Sequence, residues 1–242
     1  IAGGRNSSIC SYNAAAEKGK RMRFKNVFNI IGPSMVGPSS SHTAGAARLG
    51  RAARQLLGKM PEHADIILYG SFAETYWGHG TDLALVGGLL DYGTDDPRLP
   101  EAAELADELG MTIQFDKGSG NYPHPNFVRL RLKCGEQQAE LAGASIGGGN
   151  IEIHELNGFD VKGSGQYPTL VVEHMDSKGV LADITRTLSE GELNIGFMDV
   201  DRKSRSGEAM TLIELDGAPS PSVLKQIEAL PHVTCAMVIN LD

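Results

Sequence analysis

Apolar residues recur at helical spacing over residues 46–57, where Ala46, Leu49, Ala53 and Leu56 share one face and Arg48, Arg51 and Arg54 lie elsewhere. This spacing predicts an amphipathic helix. ADIILYG (64–70) is a short apolar run of strand length and predicts a buried strand. DLALVGGLLD (82–91) and PRLPEAAELADELG (97–110) predict two further helices, the second stopped by Gly110. After that the period changes to two, and TIQFD, NFVRLRLKC, QAELAGAS, NIEIHEL and FDV predict strands. In VRLRLKC, Val128, Leu130, Leu132 and Cys134 fall on one face, with Arg129, Arg131 and Lys133 on the other. ASIGGGNIEI (144–153) lacks the spacing of a phosphate-binding loop, so its glycines predict a bulged hairpin or close backbone packing.

VKGSGQYP (161–168) breaks this pattern. Beyond it, TLVVEHM (169–175) predicts a strand, and GVLADITRTLSEG (179–191) a helix with Val180, Leu181, Ile184 and Leu188 on one face. NIGFMDVDR (194–202) alternates Ile195, Phe197 and Asp199, which leaves its inward face ambiguous. EAMTLIEL is a strand, SPSVLKQIEALP a helix capped by Ser220 with Pro221 in its first turn, and VTCAMVINL a closing strand. The order β-α-β-β-α-β is the ferredoxin-like arrangement. The expected fold class is therefore α+β, with a mixed α/β unit over 22–162 and a ferredoxin-like unit over 168–242. Residues 1–21 are polar, basic and aperiodic. They read as a disordered extension or a transit-like segment ahead of Met22.

Composition narrows the function classes. A chain of 242 residues that is 41% hydrophobic can bury a core. A net charge of −8 argues against a nucleic-acid partner, and no apolar run approaches the roughly 18–20 residues of a membrane span. Cys10, Cys134 and Cys235 have no ligand spacing for zinc or an iron–sulfur cluster. Their odd number, with no secretory signal, favours a reducing compartment, the cytoplasm.

Three stretches carry candidate chemistry. GPSSSHTAG (37–45) places Ser39, Ser40, Ser41, His42 and Thr43 at the N-terminus of the 46–57 helix, where free N–H groups and the dipole favour an anion. His42 has the natural pKa for moving a proton. One serine would suffice as a cap, with the others facing solvent. GHGTD (78–82) puts His79 between glycines, with Thr81 and Asp82 opening the next helix; an ordinary capped loop explains it equally. YPHPNF (122–127) stiffens the chain around His124 and Asn126. His63, His154, His174 and His232 show no ligand spacing and read as structural or surface residues. From these residues alone, an enzyme, part of one and a regulatory module all remain open.

FKNVFNIIGPSMVGPSSSHTAGAARLGRAAR, YGSFAETYWGHGTD and the C-terminal βαββαβ unit together resemble the beta subunit of the two-subunit, iron–sulfur-dependent L-serine dehydratases, over about residues 22–242. The N-terminal part also resembles the allosteric substrate-binding domain of some phosphoglycerate dehydrogenases, and the tail an ACT domain. Residues 1–21 are outside the family pattern. The resemblance implies deamination of L-serine to pyruvate and ammonia, in amino-acid catabolism feeding gluconeogenesis. It also implies a [4Fe–4S] cluster held by a separate alpha subunit, and a hetero-oligomer with beta–beta contacts. By the same resemblance Ser39, Ser40, Ser41, His42 and Thr43 face the shared cleft and hold the serine carboxylate, with His42, beside Ser41, in proton transfer. His79, Thr81 and Asp82 line that cleft or a separate effector site, joined by His124 and Asn126. Asp176, Gly179, Val180 and Asn194 border an amino-acid effector pocket in the ACT part.

Overall fold

The computed structural model describes residues 10–11, 35–37 and 39–241. Of the expected extension only β1 (Cys10–Ser11) is described; the rest of residues 1–21 lies outside the described residues, as do 22–34 and Pro38. A π-helical turn, Ser40–Ala44, runs without a break into α1 (Gly45–Leu57). Then follow β2 (His63–Tyr69), α2 (Gly70–His79), α3 (Thr81–Leu89), a 3-10 turn (Leu99–Glu101), α4 (Ala102–Glu108) and β3 (Thr112–Lys117). Four strands complete the first sheet: β4 (Asn126–Cys134), β5 (Gln137–Gly147), β6 (Asn150–Leu156) and β7 (Phe159–Gly163). The remainder is β8 (Thr169–Met175), α5 (Val180–Glu190), β9 (Ile195–Arg202), β10 (Glu208–Leu215), α6 (Pro221–Glu228) and β11 (Val233–Ile239).

The strands form two sheets, ordered β1-β3-β2-β4-β5-β6-β7 and β11-β8-β10-β9. Among the described pairings β2–β3 is parallel, as a strand–helix–strand crossover requires, and the others are antiparallel. The α+β class and the βαββαβ order of the C-terminal part are as expected. Ala46, Leu49, Ala53 and Leu56 of α1 are buried against Ile66, Leu68, Val128, Leu130 and Leu132 of the sheet. α1 and α3 meet backbone to backbone: a Cβ on Gly88 would stand 2.2 Å from the Ala47 carbonyl oxygen, and one on Gly50 2.3 Å from that of Leu85. Glycine is therefore required at both positions.

Two elements differ from the sequence expectation. α2 was not foreseen, because its buried Phe72, Ala73 and Tyr76 are too few to show a period in a segment that opens on Gly-Ser. The helix expected over 97–110 is split into a 3-10 turn and α4, with Pro100 inside the turn.

The smaller sheet caps the open edge of the larger one. The N–H groups of Asp160, Lys162 and Ser164 donate to carboxylate oxygens of Asp201, Asp199 and Glu214 at 3.0, 2.9 and 2.5 Å. Strand-edge donors that would otherwise stay unpaired are thus satisfied by side chains. Around them Val171, Met210, Leu212, Ile239 and Leu241 join the core of the larger sheet. No helix among the described residues is long and apolar enough to cross a membrane.

Candidate active site

The serine-rich stretch is not a loop before a helix but the first turn of one. Ser39 is its N-cap, and its Oγ accepts the His42 N–H at 3.3 Å, while its carbonyl accepts both the N–H of Thr43 at 2.9 Å and its hydroxyl at 2.5 Å. Thr43 is buried by these bonds, whereas Ser40, Ser41 and His42 stay half-buried at the mouth of the turn. The helix terminus lies at Ser40, so the earliest amides and the positive end of the dipole sit among the serines.

α2 and α3 bring the second motif to the same place. The His42 and His79 ring centroids are 4.7 Å apart. The His42 Nδ1 lies 3.3 Å from Ser39 Oγ and its Nε2 3.2 Å from Ser71 Oγ. The edge of the buried Phe72 ring lies against the imidazole, at 5.5 Å between centroids. Burial, reinforced by the nearby His79, lowers the His42 pKa, so the ring is neutral and able to accept a proton at neutral pH. Gly80 turns the chain with φ 69° between the two helices, and Thr81 and Asp82 follow, both buried. Burial pushes the Asp82 carboxyl up to about 7. The amides of Asp82 and Leu83 pull weakly the other way, without reaching hydrogen-bond geometry.

The third motif serves partly as a brace. His124 Nδ1 accepts the Asn126 N–H at 3.1 Å, a bond within the motif itself. Asn126 reaches inward, and its Nδ2 donates to the Ser145 carbonyl at 3.5 Å. Ser145 is buried beside Gly45, where a Cβ would fall 2.0 Å from its Oγ. The glycines expected to give a hairpin do so, at Gly147–Gly149 between β5 and β6, and a Cβ on Gly147 would stand 3.9 Å from Ser41 Oγ.

The buried polar atoms set this region apart. Among the described residues, the buried side-chain atoms without a hydrogen-bond partner are His79 Nδ1, Thr81 Oγ1, both Asp82 oxygens, Asn126 Oδ1, Ser145 Oγ and one nitrogen of Arg48. The Arg48 guanidinium itself donates to the Gly165 carbonyl at 2.6 Å. Every other atom of that set comes from the elements gathered around the turn. Sequence reading missed Ser71, Phe72 and Ser145. Ser71 lies inside YGSFAETYWGHGTD and was legible only as a serine just after a strand-ending glycine.

The ACT-part candidates are less gathered. Asp176 accepts from Arg202 Nη1 at 3.0 Å and from the Ser206 N–H at 3.3 Å, near Gly179 at the start of α5. Val180 is buried in the core. Asn194 bonds Asp216 at 2.8 Å, at the far end of β9. An open cleft of about 620 Å³ lies on the other face of the larger sheet, lined by Tyr69, Phe127, Arg129, His154, Lys162 and Asp199 among others. None of the candidate-site residues lines it.

The family model of the serine dehydratase beta chain matches residues 26–109, and that of the ACT domain residues 168–232. The probable L-serine dehydratase beta chain of Bacillus subtilis is 45% identical over 212 residues, covering 88% of this chain and 96% of that one. The L-serine dehydratase beta chain of Peptoniphilus asaccharolyticus is 33% identical over 218 residues, 89% and 98% respectively. The D-3-phosphoglycerate dehydrogenase of Methanocaldococcus jannaschii is 24% identical over 90% of this chain but only 41% of its own length. This chain belongs to the family of serine dehydratase beta chains, and its C-terminal part is an ACT domain.

Proposed function

We propose that the chain is the beta subunit of an L-serine dehydratase that converts L-serine to pyruvate and ammonia. The observation that carries this reading is the pairing of His42 and His79, 4.7 Å apart, among buried polar atoms that have no hydrogen-bond partner among the described residues. Buried polar groups are almost always paired, so such a cluster marks where a polar ligand binds. The amides and hydroxyls of Ser40 and Ser41 at the helix N-terminus suit the substrate carboxylate, while Ser39 and Thr43, whose side chains are bonded within the turn, hold its shape. The neutral His42 imidazole suits uptake of the α-proton, and His79, Thr81, Asp82 and Asn126 suit the substrate's polar groups. His124, bonded to its own motif, supports Asn126.

The resemblance also implies a [4Fe–4S] cluster. Among the described residues no group of three or more His, Cys, Asp or Glu side chains could hold a metal ion, and Cys134 and Cys235 lie on strands of different sheets. The described part of the chain therefore does not fit the cluster as a ligand set. We assign the cluster to a partner alpha subunit that closes over the serine turn. In the same reading the enzyme is a cytoplasmic hetero-oligomer, and the chain divides near 163–168 into a catalytic unit over 22–162 and a regulatory unit over 168–242. Asp176, Gly179, Val180 and Asn194 would border an effector pocket in the regulatory unit. Anaerobic co-purification with a cluster-bearing partner tests the proposal. Pyruvate should form from L-serine with both chains present and with neither alone. A stable, cluster-loaded pair that forms none would contradict it.

A further inference from the structure

His42 is held at both ring nitrogens by serine hydroxyls, and the two contacts differ in kind. Ser39 belongs to the same turn, and its Oγ already accepts the His42 backbone N–H. Its own hydroxyl proton is free to point at Nδ1, and in that arrangement Nδ1 is the accepting nitrogen. In the same tautomer Nε2 carries the ring proton and faces Ser71 Oγ, 3.2 Å away, as its acceptor.

Ser71 is fixed by means that have nothing to do with the turn. Its N–H donates to the Pro125 carbonyl at 2.7 Å, and its carbonyl accepts the Thr75 hydroxyl at 2.7 Å. Gly70 before it has φ 52°, and a Cβ there would stand 2.6 Å from the same Pro125 oxygen, so only glycine permits this junction. The brace of residues 122–127 thus anchors the first turn of α2, and the first turn of α2 anchors the hydroxyl. Phe72 and His79 lie against the half-buried ring, and His79 is the titratable group in ring contact with His42.

We propose that Ser71 is a positioning residue for His42. It holds the proton on Nε2 and so leaves Nδ1, on the side of the serine turn, as the basic nitrogen. In a neutral imidazole the hydrogen bond made by one nitrogen decides what the other can do. The catalytic meaning of this assignment rests on the dehydratase reading; its physical content does not.

The test is the ring ¹⁵N spectrum of the full chain at pH 8, with the His42 signals identified by their loss in His42→Gln. The wild type should show a protonated, pyrrole-like Nε2 and an unprotonated, pyridine-like Nδ1. Ser71→Ala should move the two signals toward each other as the tautomers mix, and Ser71→Thr, which keeps the hydroxyl, should restore the pattern. A wild-type spectrum with the proton on Nδ1, or a Ser71→Ala spectrum unchanged from wild type, overturns the proposal. In the reconstituted pair, Ser71→Ala should lower kcat by at least about tenfold with KM little changed, since tautomer control acts on the chemical step. An undiminished kcat overturns the catalytic part. If the wild-type pair makes no pyruvate, the dehydratase reading fails, and the ¹⁵N pattern still decides the role of Ser71.

Discussion

Two regions of the molecule, one half-buried or exposed and one buried, treat their polar groups in opposite ways. At the seam between the sheets and on the outer face of the larger sheet, the polar groups answer one another. Asp199 and Asp201 take edge N–H groups of β7, Glu214 takes that of Ser164 just after it, and Arg129 bridges Glu140 and Glu155. Around the serine turn, His79, Thr81, Asp82, Asn126 and Ser145 keep buried polar atoms that no described residue satisfies. An unpaired buried hydrogen-bonding group costs about 1–3 kcal/mol, so this second arrangement is one that a fold alone would not select. Among the described residues the carboxylates of the seam are paired, and that of Asp82, in the candidate site, is not.

Substitutions can break or sharpen this contrast. The largest effect is expected for His79→Ala in the reconstituted pair: turnover should drop by about 100-fold or more while the fold is kept, as for loss of a group that handles protons or holds substrate. Circular dichroism and the pyruvate rate together check it. Asp82→Asn should come next and show in stability. Its carboxyl titrates near 3.8 when unfolded and about 7 when folded. The folded state thus favours the protonated form, and that stabilisation, complete below the unfolded pKa, is lost as pH rises through 7. Wild type should lose up to about 4 kcal/mol relative to Asp82→Asn between pH 4 and 8. Urea midpoints at the two pH values measure it, and parallel pH profiles would refute it.

On the paired side the effects should be smaller and purely structural. Arg129→Leu leaves Glu140 and Glu155 facing each other half-buried, and should destabilise by about 1–2 kcal/mol without changing turnover per folded molecule. Asp199→Asn keeps an acceptor for the Lys162 N–H and should shift the unfolding midpoint by the equivalent of about 0.5 kcal/mol.

Much of the fold was legible because burial and period coincide. The face Val128, Leu130 and Leu132 is buried as its alternation predicts. β9 was ambiguous for a physical reason: Asp199 and Asp201 point toward the larger sheet as hydrogen-bond acceptors, where apolar residues would have been expected. The two histidine motifs were each visible as unusual chemistry, but their 4.7 Å approach depends on α2, whose few apolar positions hide it. Ser71 meets His42 across 29 residues, a contact no local pattern encodes. His124 drew notice for its proline flanks, yet its ring is used to accept the Asn126 N–H, which sequence spacing cannot distinguish from a ligand-binding role.

The most direct test compares pyruvate formation by His42→Ala and Arg129→Leu chains at equal folded concentration, each with the same cluster-bearing partner. The account predicts turnover lost by about 100-fold or more in the first and unchanged in the second. Equal losses in both, or an active His42→Ala chain, would contradict the claim that the serine turn is the working site.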